Sequence, residues 1–243
     1  MSRARYYYNG MSMRSLPFLT ALIALALALP AAAAAPTWSQ VDDKDGIRVY
    51  TRPIPGVDFD EFKGVTVVHA RIEVLGMVLR DIPRFPDWFA ECKEASVVEK
   101  FDDNNVILHF IQDAPWPVSD RDVVLKINTE VDYPNGRAVI SMKAVDDSRV
   151  PPKPGRVRMK SMTGRFVLEY LSREKTRVTY VIRADPSGSL PGALANSASK
   201  GYPHTTLKGM RRVARRQKYV DLADASKDKA AIERLIAEGA LSR

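Results

Sequence analysis

Three kinds of side chain in this 243-residue chain have types and spacing that suit chemistry: carboxylates, imidazoles and one thiol. Asp113, Asp120 and Asp122 crowd around Arg121, a grouping from which an acid–base pair can be built. The plainer reading is loop solvation and an ion pair, which needs no substrate. His69, His109 and His204 are scattered without metal-ligand spacing. Cys92 is the lone cysteine, so no internal disulfide forms. There is no G-x-S-x-G, H-E-x-x-H, C-x-x-C, G-x-G-x-x-G or phosphate-binding loop. Neither a metal nor a cofactor is expected.

The charges converge on one stretch, Asp113 to Lys126. Pro115 and Pro117 fix φ on both sides of Trp116 and cannot donate to a ladder, so a rigid aromatic turn precedes a strand. After Asp120 the side chains alternate. Arg121, Val123, Leu125 and Ile127 share the more apolar face. A guanidinium on such a face demands an anion. Either a cross-strand carboxylate or the head group of a ligand meets Arg121.

The elements around this stretch follow from periodicity. Strands are expected near 47–52 and 59–69. Leu75, Val78, Leu79 and Ile82 then mark a short amphipathic helix ended by Pro83. Pro86 starts a further helical turn carrying Phe85, Trp88, Phe89 and Cys92. From Ala95 the period is two, with strands near 96–101, 105–112, 122–132, 137–145, 156–170 and 176–184. The turns between them are too short for parallel crossovers, so neighbours are antiparallel. Phe166, Leu168 and Tyr170 face Val178, Tyr180 and Ile182, while Arg165, Glu169, Arg177 and Arg183 face water.

The covered face requires the C-terminal helices. Leu190-Pro191 opens one, in which Leu194, Ala198 and Tyr202 repeat, and Pro203 kinks or divides it. Leu207, Met210, Val213 and Ala214 then lie opposite Lys208, Arg211, Arg212, Arg215, Arg216 and Lys218. That basic face is either a solvated outer surface or a dock for anionic head groups. A last helix over about 226–238 ends at Gly239.

The beginning of the chain reads as an export signal. Arg3, Arg5 and Arg14 precede an apolar run from Leu16 to Leu29 and small residues through Ala35. We expect removal of residues 1–35, with an uncleaved anchor over 16–35 as the rival. Of the 37 basic and 29 acidic residues, that removal leaves 34 and 29, about +5 instead of +8. A moderate excess on an exported chain argues against nucleic acid. The expected organisation is a signal segment 1–35, one domain 36–222 and a short helical tail 223–243, acting as a periplasmic or secreted monomer.

Three stretches in this order carry a resemblance: Phe85-Pro-Asp-Trp88 followed by Cys92, Pro115-Trp-Pro-Val-Ser-Asp-Arg-Asp122, and Asp185-Pro-Ser-Gly-Ser-Leu-Pro191 with Asn196. From about Trp38 to Val220 the chain resembles the START domains, the steroidogenic-acute-regulatory-protein-related lipid-transfer family. The resemblance implies an α+β helix-grip fold. A curved antiparallel sheet would wrap around a long C-terminal helix over a hydrophobic tunnel, with two short helices after the second strand. It also implies binding, and transfer, of a lipid or sterol-like molecule without covalent chemistry. Related helix-grip proteins include cyclases and hydrolases, so an enzyme acting in the same cavity is the alternative. Inside such a tunnel the candidate ligand contacts are Arg121, His109, Trp116, Tyr170, Tyr180, Met142 and Met159. Core packing is the competing role for the histidine, tyrosines and methionines. Docking on an anionic membrane would fall to Lys208, Arg211, Arg212, Arg215 and Arg216.

Overall fold

A computed structural model describes residues 37–188 and 191–241. The expected signal segment 1–35, the candidate anchor and Leu190 lie outside those residues. Among them no helix is long and apolar enough to cross a membrane.

The chain opens with a hairpin. β1 (Ser39–Lys44) pairs with β2 (Ile47–Ile54) across Asp45-Gly46. Both turn residues have positive φ, 56° and 67°, the conformation that a two-residue hairpin loop of this hand needs. The Asp-Gly signal is plain in the sequence, but β1 is not, because Ser-Gln-Val-Asp-Asp-Lys holds one apolar residue. Pairing with β2, not its own composition, makes it a strand.

β3 (Val57–Val68) completes the first meander. The chain then crosses through α1 (Ile72–Arg80) and a 3-10 turn (Ile82–Asp87) to the opposite edge of the sheet. β4 (Cys92–Lys100), β5 (Asn105–Gln112), β6 (Asp120–Asp132) and β7 (Arg137–Ala144) run antiparallel. β8 (Arg156–Arg158) adds three residues parallel to the start of β6. β9 (Ser161–Ser172) and β10 (Lys175–Asp185) return to β3 and join the two meanders. The order is β1-β2-β3-β10-β9-β7-β6-β5-β4.

The strand expected over 156–170 is thus two. Asp122 explains the break: its carboxylate takes two hydrogen bonds from Arg158, at 2.7 and 3.0 Å, and its carbonyl accepts from the Met159 backbone at 2.9 Å. The chain is captured by β6 before it can continue into β9.

The grip is also segmented. α2 (Gly192–Ser199), α3 (Tyr202–Val213), α4 (Gln217–Asp224) and α5 (Lys227–Ala237) replace one long helix. Pro203 divides α2 from α3, since it stands at the second position of α3, where a missing N–H is harmless. The second break has no proline. α4 turns away to lie on α1, drawn by Tyr219, whose ring is buried and whose hydroxyl donates to Asp81 at 3.1 Å. Lys218 reaches the same carboxylate at 2.5 Å.

Candidate functional site

α3 packs on β2, β3 and β10, which leaves the inner face of β5 to β7 and β9 to other elements. That face is roofed by α1, the 3-10 turn and α5, and a cavity of about 150 Å³ lies between. Alternation along the strands delivers Leu108, Ile127, Ile140, Met142, Phe166 and Leu168 to its floor. Leu79, Ile82, Phe85 and Phe89 come from the roof, with Ile232 from α5. Polar groups gather at the rim, on the β4–β5 turn (Asp102, Asp103, Asn104) and the β6–β7 turn (Asp132, Tyr133). The interior is therefore a hydrocarbon environment with a wet edge.

α5 is held over this space by polar ties. Asp228 accepts from Arg80 Nη1 at 2.9 Å and from the Tyr133 hydroxyl at 2.5 Å. Burial, reinforced by the neighbouring Asp228 carboxylate, pushes the Tyr133 hydroxyl up to about 12. Arg173, on the β9–β10 turn, bridges Glu73 of α1 at 2.6 Å and Glu233 of α5 at 3.0 Å. Glu73 is buried, and its second oxygen has no hydrogen-bond partner among the described residues.

Of the seven residues expected to contact a ligand, Met142 lines the cavity. Tyr180 and Met159 are buried outside the lining, Tyr180 stacked on Phe166 with centroids 4.3 Å apart. Tyr170 packs at the rim, so close to Gly136 that a Cβ there would lie 2.8 Å from the tyrosine Cβ. Arg121 is on the inner face of β6, but roughly 20 Å along the strand from Ile127. The buried side chains of Val123 and Leu125 come between. Its Nη1 donates to the Ser119 carbonyl at 2.6 Å, and among the described residues no carboxylate forms an ion pair with it. Trp116 is 92% exposed.

His109 falls on the face opposite Leu108, where its Nε2 meets Asp122 at 2.8 Å. Burial alone would raise that carboxyl, yet hydrogen bonds from Arg158 and His109 hold it below the usual carboxylate range. Asp122 is thereby committed to bracing the 145–158 segment. Asp113 and Asp120 both reach Lys93, at 3.4 and 2.8 Å. The acids that surround Arg121 in sequence are distributed among structural partners. Among the described residues no group of three or more metal-ligating side chains occurs.

Four of the five basic residues expected at a membrane are tied to the fold. Lys208 pairs with Asp45 at 2.8 Å, and Arg211 donates to the Asp45 and Gly46 carbonyls and to Thr66 Oγ1. Arg212 and Arg216 hold the carbonyl and carboxylate of Asp87. Arg215 is exposed and, among the described residues, makes no ion pair. Glu73, Arg80, Tyr133 and Asp228 also shape the cavity wall, and nothing in the sequence around them marks it. Arg80 and Asp228 are 148 positions apart, and no local pattern announces their meeting.

A family model described as START domain matches residues 23–219. An uncharacterized protein of Pseudomonas aeruginosa is 30% identical over 205 residues, covering 84% of this chain and all of that protein. The crystal structure of a STAR-related lipid transfer protein from Xanthomonas axonopodis superposes with a TM-score of 0.68 at 32% identity. That match covers 74% of this chain and 99% of the other. Human STARD10 reaches the same TM-score at 20% identity, covering 77% and 76%, a likeness of fold. α5 begins after the last residue of the family match.

Proposed function

Because the chain belongs to the START domain family, we propose that it binds a hydrophobic small molecule of the lipid class in the cavity beneath α1 and α5, and transfers it without covalent change. The observation that carries this reading is the wall: a floor and roof of aliphatic and aromatic side chains closed by a charged rim. Each CH₂ leaving water for such a wall gains about 0.8 kcal/mol. Because a bilayer offers the lipid a comparable gain, net exchange is close to neutral and the rate rests on opening.

Size says where opening must occur. A space near 150 Å³ accommodates a ring as small as benzene, and drug-sized ligands need about 300–1,000 Å³. A lipid tail enters only if part of the wall yields. α5 is the part secured mainly by rim ion pairs, and it lies at the end of the described chain. The carrier works after export, as a monomer, and touches anionic membranes through Arg215 and the surface around Lys208.

The test is native mass spectrometry of the purified mature chain with organic extraction of whatever accompanies it. We expect a co-purifying lipid in stoichiometric amount and a mass corresponding to loss of residues 1–35. A chain that captures no lipid from vesicles, and instead turns over a small hydrophobic substrate, would overturn the carrier reading.

A further inference from the structure

The outer face of the sheet, opposite the side that carries α3 and the cavity, has an uneven charge. Ile127 and Met142 line the cavity, so alternation sends Lys126 and Lys143 outward. These two lysines are direct cross-strand partners. Like charges set opposite one another cost a sheet stability, so this pairing gives the fold nothing. The register extends the pattern. Lys143 and Arg183 flank Thr163 from either side, and Arg165 stands between Ser141 and Val181 in the neighbouring row. Val181 in turn faces Lys63, which pairs with Tyr50, two residues from Arg52.

Six consecutive strands in the order β6-β7-β9-β10-β3-β2 therefore give one cation each: Lys126, Lys143, Arg165, Arg183, Lys63 and Arg52. At about 4.8 Å between strands the band is roughly 24 Å long, and it is two residue rows wide. Lys126, Lys143 and Arg165 are exposed and Arg183 is half-buried. Among the described residues none of these four forms an ion pair. The carboxylates around them are engaged elsewhere: Glu61 with Arg52 at 2.6 Å, Glu169 with Arg177 at 3.9 Å, and Asp122 with Arg158 and His109.

The shape of the band selects its partner. A narrow line of evenly spaced cations matches a linear polyanion better than a plane of head groups, and a bilayer pressed here would leave the cavity roof facing water. Single-stranded nucleic acid needs ring faces on which its bases can stack. Trp38 and Tyr50, the aromatic residues at the β2 end, already hold Lys63 and Arg52 against their rings, with centroid distances of 4.2–4.5 Å. Between the cations lie small hydroxyl and amide side chains, Ser141, Thr163 and Asn128, which suit the hydroxyls of a sugar. We propose that the outer face of the sheet binds a linear acidic polysaccharide along the β6-to-β2 band, sugar carboxylates meeting the six cations. This surface is separate from the cavity and does not rest on the carrier reading.

The probe is polygalacturonate, which carries one carboxylate per sugar, with uncharged dextran, oligo-dT and phosphatidylglycerol vesicles tested alongside. The mature chain should bind polygalacturonate at low salt, ignore dextran and let go as salt rises. Lys143→Gln combined with Arg165→Gln should weaken binding about tenfold, the worth of two exposed ion pairs. The double substitution relieves the repulsion on Lys126, so thermal stability should not fall. Lys175→Gln removes an exposed cation roughly 20 Å along β10 from Val181 and should change nothing. If polygalacturonate does not bind, or binds the double variant as well as the parent, the band is no polysaccharide site. If the double variant loses oligo-dT or the vesicles while it keeps polygalacturonate, the occupant is a different polyanion and the proposal fails. Uptake of an apolar dye by the cavity should be the same in every variant, so failure here leaves the carrier reading standing.

Discussion

One sheet meets its helices in two different ways. Over β2, β3 and β10, α3 lies in direct contact with the strands. A Cβ at Gly64 of β3 would stand 2.7 Å from Leu207 and 2.8 Å from Pro203. A Cβ at Gly209 would collide with the Trp88 carbonyl. Leu207, Met210 and Val213 are wholly buried there. Over β5 to β7 and β9 the roof is α1 and α5, bulky side chains such as Ile140, Phe166 and Leu168 face it, and a void remains. The difference lies in where the chain can bring backbones together. Glycine permits near-contact at one end, while at the other the roof is held off by side chains and tied at its rim by charge. Packing sets the stability of one half; an adjustable gap sets the use of the other.

The largest effect is expected at the tight end. Gly209→Leu forces a side chain into the Trp88 backbone and should cost about 3 kcal/mol or more. At this chain length that corresponds to roughly 6–12 °C in thermal unfolding. A loss below about 2 °C would show that the two halves are packed alike.

Asp228→Ala should come next, at about 1–2 kcal/mol, because Arg80 and Tyr133 lose their shared acceptor at a half-buried site. Hydrogen exchange should quicken in α5 well before α3. Uniform loss of protection in both helices would deny α5 its separate standing.

The Tyr133 hydroxyl gives the same tie a pH dependence. Its folded value, about 12, lies above the ordinary value of 10, so folding favours the neutral phenol. That stabilising effect is complete below pH 10 and fades as pH rises through 12. Exchange at α5 should accelerate across this window, and Tyr133→Phe should flatten the response. An identical response in the variant would place the titrating group elsewhere.

Ala138→Phe probes the void directly. Filling the cavity should weaken uptake of an apolar dye at least about tenfold with little change in melting temperature, provided the added ring takes up existing space. Normal uptake would mean that ligand binds outside this cavity. The smallest effect belongs to the basic surface. Arg215→Gln should lower association with anionic vesicles about fivefold at low salt, the worth of one surface cation. Arg216→Gln should act on stability instead, since Arg216 holds Asp87.

Much of the fold was legible from residue pattern. The alternation along 122–132, the Asp45-Gly46 turn, the proline that divides α2 from α3 and the cap at Gly239 act through near neighbours. β1 was not legible, because a polar segment becomes a strand only when β2 offers it a ladder. Nor was the break in β9, which depends on Arg158 finding Asp122 across 36 positions. The cavity residues were the least legible. Arg121 stands out on its strand, yet it lies about 13 Å along that strand from Leu125, whose cross-strand neighbour Leu108 lines the void.

By itself the sequence determined the periodicities, the turn sites, the apolar faces and, through three ordered stretches, the family. Those features need nothing beyond the chemistry of residues a few positions apart. Tertiary structure alone decided which apolar face would be pressed shut and which would be left with space behind it. A void is not a property of any residue: it is what remains when distant segments, here α1, α5 and four strands, stop short of one another.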